Sequence, residues 1–150
     1  MPNALLPVPH YSQSRDGTCL PACIRMVLAY YGRVLPEAEI SELLNTRDFG
    51  TPLSNALRLS QWRLKVELSS ITPERLMIEL LAGRPVITRV WTTMLDYWES
   101  DTSHVVVVVG FDERGVYVND PAIETWPMVV LWDGFLAAWF EFNQTAIIIR

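Results

Sequence analysis

Four side chains in this sequence have the types and spacing to do nucleophilic chemistry: Cys19, His104, Asp120 and Gln13. A thiol attacks carbonyl carbon as its thiolate, so it needs surroundings that favour negative charge and a base to take its proton. Cys19 stands at the start of a predicted helix, where unpaired N–H groups and the helix dipole favour an anion. His104 opens a strongly apolar predicted strand, and Asp120 ends the next one, just before Pro121. An imidazole is a common base, and a carboxylate can hold it in orientation. Gln13 lies six residues ahead of Cys19, and its amide can donate to the oxygen that becomes negative when a carbonyl is attacked. Cys23 sits one helical turn further on, among Ile24, Met26 and Val27, and is expected to be a buried, inert thiol. Taken singly, a cysteine is more often packing than chemistry. Likewise, His104 alone reads as a strand start and Asp120-Pro121 as a strand-ending turn. Their combination is what points to a nucleophile, a base and an orienting acceptor.

The placement of the last pair depends on hairpin register. His104 and Asp120 lie eight residues before and after Asp112, which opens the turn Asp112-Glu113-Arg114-Gly115. Directly opposed residues of an antiparallel hairpin share a face, with Cβ atoms about 4.5–5.5 Å apart. An odd-length loop centred on Asp112, or a bulge at Gly115 using the φ > 0 freedom of glycine, predicts His104 opposite Asp120. A two- or four-residue loop without a bulge would put them on opposite faces and leave Asn119 as the orienter.

The surrounding elements follow from periodicity and punctuation. Leu20–Tyr31 is apolar almost all round, with Arg25 as its one charge and Gly32 after it. A helix apolar on every side is a buried central helix. Pro21 must fall in its first turn, so it begins near Thr18 or Cys19, with Thr18 or Asp16 as cap. Pro36, Thr51-Pro52 and Thr72-Pro73 open three further helices, and Gly83 stops the last of them. Trp62, Leu64, Val66 and Leu68 alternate with polar residues as in a strand. Further strands are predicted over Pro85–Trp91, His104–Phe111, Val116–Asn119, Met128–Leu131 and Ala146–Ile149, with a helix over Asp133–Phe140. Trp91, Tyr97 and Trp98, ahead of His104, read as a cap on the core rather than as a cleft wall. Helices first and an antiparallel sheet second is an α+β plan, and the length, 150 residues, suits a single domain over 1–150.

Composition narrows the function. Half of the residues are hydrophobic and 19% charged, so the chain is neither disordered nor of low complexity. The net charge is −5 and Lys/Arg runs are lacking, so neither nucleic acid nor anionic membrane is an expected partner. The longest apolar run, Val105–Val109, is too short to span a bilayer, and Met1–His10 lacks the pattern of a signal peptide. A cytoplasmic location is therefore expected. Cys19, Cys23 and one histidine supply at most three zinc ligands, without a CxxC or HxxxH cluster, so no metal is expected.

The stretch Gln13-Ser-Arg-Asp-Gly-Thr-Cys19-Leu-Pro-Ala-Cys23-Ile-Arg-Met-Val-Leu-Ala-Tyr-Tyr-Gly32 resembles the opening of peptidase family C39 and its C39-like relatives. The stretch His104-Val-Val-Val-Val-Val-Gly110 through Val118-Asn119-Asp120-Pro121 is similar to that family's histidine strand and Asp-Pro motif, and Asp133–Trp139 is like its late helix. The resemblance covers about residues 7–150. It implies a papain-like cysteine peptidase fold, with N-terminal helices, one of them buried and central, packed on a C-terminal antiparallel sheet. It implies peptide-bond hydrolysis of a peptide or protein substrate, without metal or organic cofactor. Cys19 would be the nucleophile, His104 the general base and acid, Asp120 the orienter and Gln13 an oxyanion donor beside the Cys19 N–H. The family's usual Asp-Cys-Gly is Thr18-Cys19-Leu20 here, which sets a branched side chain where substrate backbone could approach. Two other functions use the same residues: acyl transfer to an amine, as in a transglutaminase, and peptide binding by a catalytically inactive peptidase-like module. The double-glycine leader specificity of transporter-linked members is not carried over.

Overall fold

The computed structural model describes residues 2–150. Seven strands and four α-helices follow in chain order: β1 (Ala4–Leu5), α1 (Cys19–Tyr30), α2 (Glu37–Leu44), β2 (Val66–Ser70), α3 (Pro73–Leu81), β3 (Val86–Trp91), β4 (Ser103–Phe111), β5 (Gly115–Asn119), β6 (Met128–Leu131), α4 (Trp132–Phe140) and β7 (Thr145–Ile149). The strands form one antiparallel sheet in the order β2-β7-β3-β4-β5-β6. β1 pairs with the far end of β4, at Gly110 and Phe111, beyond the point where β3 stops. The expected α+β plan is met, with a helical layer on each face of the sheet. α1 and α2 pack with Val105, Val107 and Val109 on one face. Residues of α3 and α4 pack with Val106, Val108 and Phe111 on the other. β4 is therefore buried on both sides, and this is why its sequence is a continuous valine run rather than an alternation.

Helix α1 starts at Cys19, and eight of its twelve residues are buried. Its position is fixed at one point by the Cys23 thiol, which donates to the Val105 carbonyl of β4 at 3.3 Å. Two elements differ from the sequence expectation. The segment after Pro52 is a 3₁₀-helix over Leu53–Trp62, not an α-helix. The alternation that begins at Trp62 is not one strand: Trp62 ends the 3₁₀-helix, Arg63 caps it in a left-handed conformation (φ 63°), and β2 begins only at Val66. Side-chain alternation counted across such a turn loses its meaning.

The β4–β5 hairpin departs from the expected register in an instructive way. Phe111 pairs with Val116, so the tip is short and Asp112 closes it by accepting from the Arg114 and Gly115 amides. A bulge does restore the needed parity, but it lies in β4: the register shifts between Val108 and Gly110, leaving Val109 as the extra residue. Asn119 then opposes Val107. Continuing that register sets Asp120 against Val106, so His104 and Asp120 are diagonal neighbours on one face rather than directly opposed. Gly115 does not supply the bulge, and its φ is outside the left-handed region. It is needed for closeness instead, since a Cβ there would lie 2.1 Å from the Val130 carbonyl oxygen of β6. Gly115→Ala is accordingly expected to destabilise the protein by about 1–3 kcal/mol, as other overpacked sites do, read as a lower urea midpoint.

Candidate active site

The four residues singled out in the sequence come to one place. Gln13, Cys19 and His104 line a cleft of about 580 Å³, together with Gly17, the turn Asp48-Phe49-Gly50, Arg89, Trp98 and the Ser100–Ser103 stretch. Asp120 lies behind it, fully buried.

Cys19 is the first residue of α1 and half-buried, whereas Cys23 is inside the core. Burial pushes the Cys23 thiol well up, with the nearby Cys19 and Asp120 adding to the effect. It is thus a buried, hydrogen-bonded thiol, and its burial is as expected. The start of α1 is unusual in its wiring. Thr18 occupies the capping position, but its hydroxyl makes no cap bond and donates back to the Arg15 carbonyl at 2.9 Å. Asp16 is exposed and does not cap either. Pro21, third in the helix, has no N–H to cap. Among the described residues no acceptor engages the Cys19 or Leu20 amides, so both remain available beside the thiol. Leu20 itself is 1% exposed and packs in the core under α1. The expectation that its branched side chain would crowd an approaching substrate is thereby corrected: the side chain points away from the cleft.

His104 is buried and holds Asp120 Oδ1 at 2.7 Å through Nε2. With Nε2–H donating to the carboxylate, Nδ1 is the nitrogen free to exchange a proton with the thiol. Burial alone would make the ring less basic. The Asp120 bond and the adjacent Cys19 sulfur outweigh it and raise the imidazole to about 9. The arrangement therefore favours an imidazolium beside the Cys19 sulfur.

The Asp120 carboxylate has more support than sequence reasoning expected. Tyr97 Oη and Trp98 Nε1 both donate to Oδ2, at 2.8 and 2.9 Å, and the Ala122 amide donates to Oδ1 at 2.8 Å. Burial pushes the Asp120 carboxyl up, but the His104, Trp98 and Ala122 bonds reverse this and hold it below its ordinary value. Tyr97 is driven the other way by burial and by the facing carboxylate, so it stays a neutral donor. The Trp98 ring also packs on His104, with centroids 4.7 Å apart, and forms part of the cleft wall. The reading of Tyr97 and Trp98 as a mere core cap is thus corrected. Trp91, by contrast, ends β3 and packs against Phe142, outside the cleft lining.

The N-terminal segment is tied to the same centre from behind. His10 Nε2 donates to the Asp120 main-chain carbonyl at 2.8 Å, and the Gln13 amide N–H donates to the Pro121 carbonyl at 2.8 Å. The Gln13 side-chain Nε2 donates to the Arg15 carbonyl at 3.0 Å, leaving its second hydrogen free. On the opposite rim, Gly17 (φ 89°) meets the Asp48 carbonyl so closely that a Cβ would lie 2.6 Å from its oxygen. This contact locks the 48–50 turn against the loop that delivers Cys19. Asn119 points to the other face, where it donates to the Val8 carbonyl, and is no orienter of His104.

The sequence matches the model of the Peptidase_C39 like family over residues 5–147. The chain belongs to that family. The structure is similar to that of a protein from Bacillus anthracis described as a C39-like peptidase, with a TM-score of 0.82 and 21% identity, covering 98% of this chain and 96% of that one. It is also similar to a double-glycine-motif protease of an AMS/PCAT transporter solved with its leader peptide (TM-score 0.75, 22% identity, 98% and 94% covered). The peptidase domain of a Streptococcus bifunctional ABC transporter gives a TM-score of 0.73 at 19% identity, with 98% and 97% covered. An uncharacterised protein of Methanothermobacter thermautotrophicus is 28% identical over 117 residues, 74% of this chain and 70% of that one. The arrangement of helices on an antiparallel sheet expected from the resemblance is the one shared with these C39-like peptidase structures. No helix among the described residues is long and apolar enough to cross a membrane.

Two measurements probe the electrostatics. The folded protein holds the His104 proton more tightly than an unfolded chain with the ordinary value of 6.5. Its contribution to stability is therefore fully present below about pH 6.5 and lost as pH rises through about 9. The urea midpoint of the parent should fall over that interval more than that of His104→Gln. Tyr97→Phe removes one of the donors to the buried carboxylate and should cost about 1.5–3 kcal/mol, the usual range for a bond to a charged group, measured by urea unfolding at neutral pH.

Proposed function

We propose that this C39-like protein is a cysteine peptidase that hydrolyses peptide bonds, with residues 1–150 acting as one peptidase domain. The observation that carries the reading is the convergence on one cleft of a helix-start thiol and an imidazole bonded at 2.7 Å to a buried carboxylate. Cys19 is the nucleophile. Its sulfur attacks the substrate carbonyl carbon while the carbonyl π electrons move onto oxygen. The resulting oxyanion accepts from the Cys19 main-chain N–H and the free hydrogen of Gln13 Nε2. The imidazolium of His104 gives its Nδ1 proton to the leaving nitrogen as the C–N bond breaks, leaving a thioester on Cys19. The neutral ring then takes a proton from water as that water attacks the thioester, and the thiolate leaves. Asp120 holds the tautomer and stabilises the imidazolium in both steps.

The complex of the double-glycine-motif protease with its leader peptide supports a peptide as the class of substrate here too. The burial of Leu20 supports an active enzyme over an inert binding module, since the departure from Asp-Cys-Gly leaves the cleft unobstructed. A thiol-reactive peptide electrophile should label Cys19 and leave Cys23 unmodified, by mass spectrometry of the native protein. Labelling of Cys23 in preference to Cys19 would overturn the assignment. Gln13→Ala should keep the melting temperature near that of the parent while turnover of a cleavable peptide drops by roughly 10²–10³-fold, the typical effect of one oxyanion donor.

A further inference from the structure

The cleft carries a single guanidinium in its lining, that of Arg89, which has no part in the proposed hydrolysis. Arg89 lies on β3 directly opposite Val105 of β4, and Val105 packs under α1. Opposed residues share a face, so Arg89 stands on the α1 side of the sheet, one strand across from the residue that follows His104. The side chain is half-buried. Among the described residues no carboxylate lies within ion-pair distance of it. A guanidinium has five N–H donors. The one side-chain bond that Arg89 makes is a long one, from Nη2 to the Ser103 hydroxyl at 3.5 Å. Its central carbon lies 4.4 Å from the centre of the Phe142 ring. An aromatic face beneath the guanidinium restricts its motion while leaving its N–H edge free, the arrangement that suits bidentate capture of a carboxylate.

The rest of the cleft makes this cation more telling. Asp16 and Asp48, both exposed, stand among the loops that carry Gly17 and Phe49. The protein as a whole is acidic, with a net charge of −5, so a cation in the cleft lining runs against the overall charge. The lining thus has acids in its loops and, on the sheet, the Arg89 guanidinium one strand across from the His104 imidazole, which gives a bound peptide a preferred direction.

We propose that Arg89 is a specificity residue that binds a carboxylate of the substrate peptide, either an Asp/Glu side chain close to the scissile bond or the chain's own C-terminus. The proposal rests on the reading of this cleft as the substrate site. A carboxylate held by a fixed guanidinium sets the register of the peptide on Cys19, and a neutral residue at that place leaves the donors unpaired.

The test measures binding by calorimetry, using the full chain as Cys19→Ala so that turnover does not interfere. The probes are hexapeptides of Ala and Gly carrying one Glu or one Gln at successive positions, each made with a free and an amidated C-terminus. At one position, or at the free C-terminus, the carboxylate form should bind at least about tenfold tighter than its neutral counterpart. The two arms identify which carboxylate is read. Adding Arg89→Gln should abolish that preference while leaving the affinity of neutral peptides and the melting temperature close to those of Cys19→Ala. Arg89→Lys should retain a part of it, since an ammonium keeps the charge and loses the fork. Equal binding of acidic and neutral peptides, no binding of any carboxylate peptide, or a preference that survives Arg89→Gln would each overturn the proposal. If acidic peptides bind through Arg89 and the parent protein cleaves none of them, the peptidase reading fails and this one stands.

Discussion

A buried carboxylate must have its oxygens filled, or the energy of removing it from water goes uncompensated. Asp120 is wholly inaccessible, and four donors meet it: His104, Tyr97, Trp98 and the Ala122 amide. They come from three parts of the chain: the start of β4, the connection after β3, which supplies both Tyr97 and Trp98, and the turn after β5. The Asp120 carbonyl and that of Pro121 in turn hold the N-terminal segment through His10 and Gln13. One charge thus organises the segments that border the cleft. Satisfying it also aims the imidazole, so the packing requirement and the chemical requirement are met by the same bonds.

Scaffold and site divide the labour between the two ends of β4. The apolar stretch, buried on both faces, anchors α1 and the sheet. The polar end, Ser103-His104, opens onto the cleft. The bulge at Val109 links them. Without it, Asp120 would fall on the opposite face from His104. The Val109 carbonyl also accepts from the Leu6 amide, so the irregularity is pinned by the segment that leads on to His10 and Gln13.

Much of this was legible in the sequence because the signals are local. Pro21, Pro36 and Pro73 with their neighbours mark helix starts, and the valine run marks a doubly buried strand. The conjunction of Cys19, His104 and Asp120 was legible through motif order and the resemblance it carries. Other features depend on contacts distant in sequence and leave no local trace. β1 is two residues long and exists only by pairing with β4. The bulge was expected at Gly115 because glycine permits one. The glycine instead serves a close approach by β6, which no hairpin rule reveals. Tyr97 and Trp98 lie 23 and 22 residues before Asp120. Aromatic residues with a polar tip read as core packing until a buried acceptor is seen beside them. The direction of Leu20 is equally hidden in the sequence: its neighbour Cys19 faces the cleft, and a helix turns successive side chains about 100° apart.

The first turn of α1 deserves a thermodynamic reading. Helix starts are normally closed by a side-chain oxygen, and losing such a closure costs typically about 1 kcal/mol. Here Thr18 spends its hydroxyl on the preceding loop, Pro21 removes a third donor, and the amides of Cys19 and Leu20 are left open. Whatever oxygen enters between the thiol and Gln13 therefore completes the helix as well as occupying the site. An acceptor held by those two amides would stabilise the segment that carries the sulfur, which links occupancy to the integrity of that turn. In this sense a guest would supply the acceptor that the start of the helix lacks.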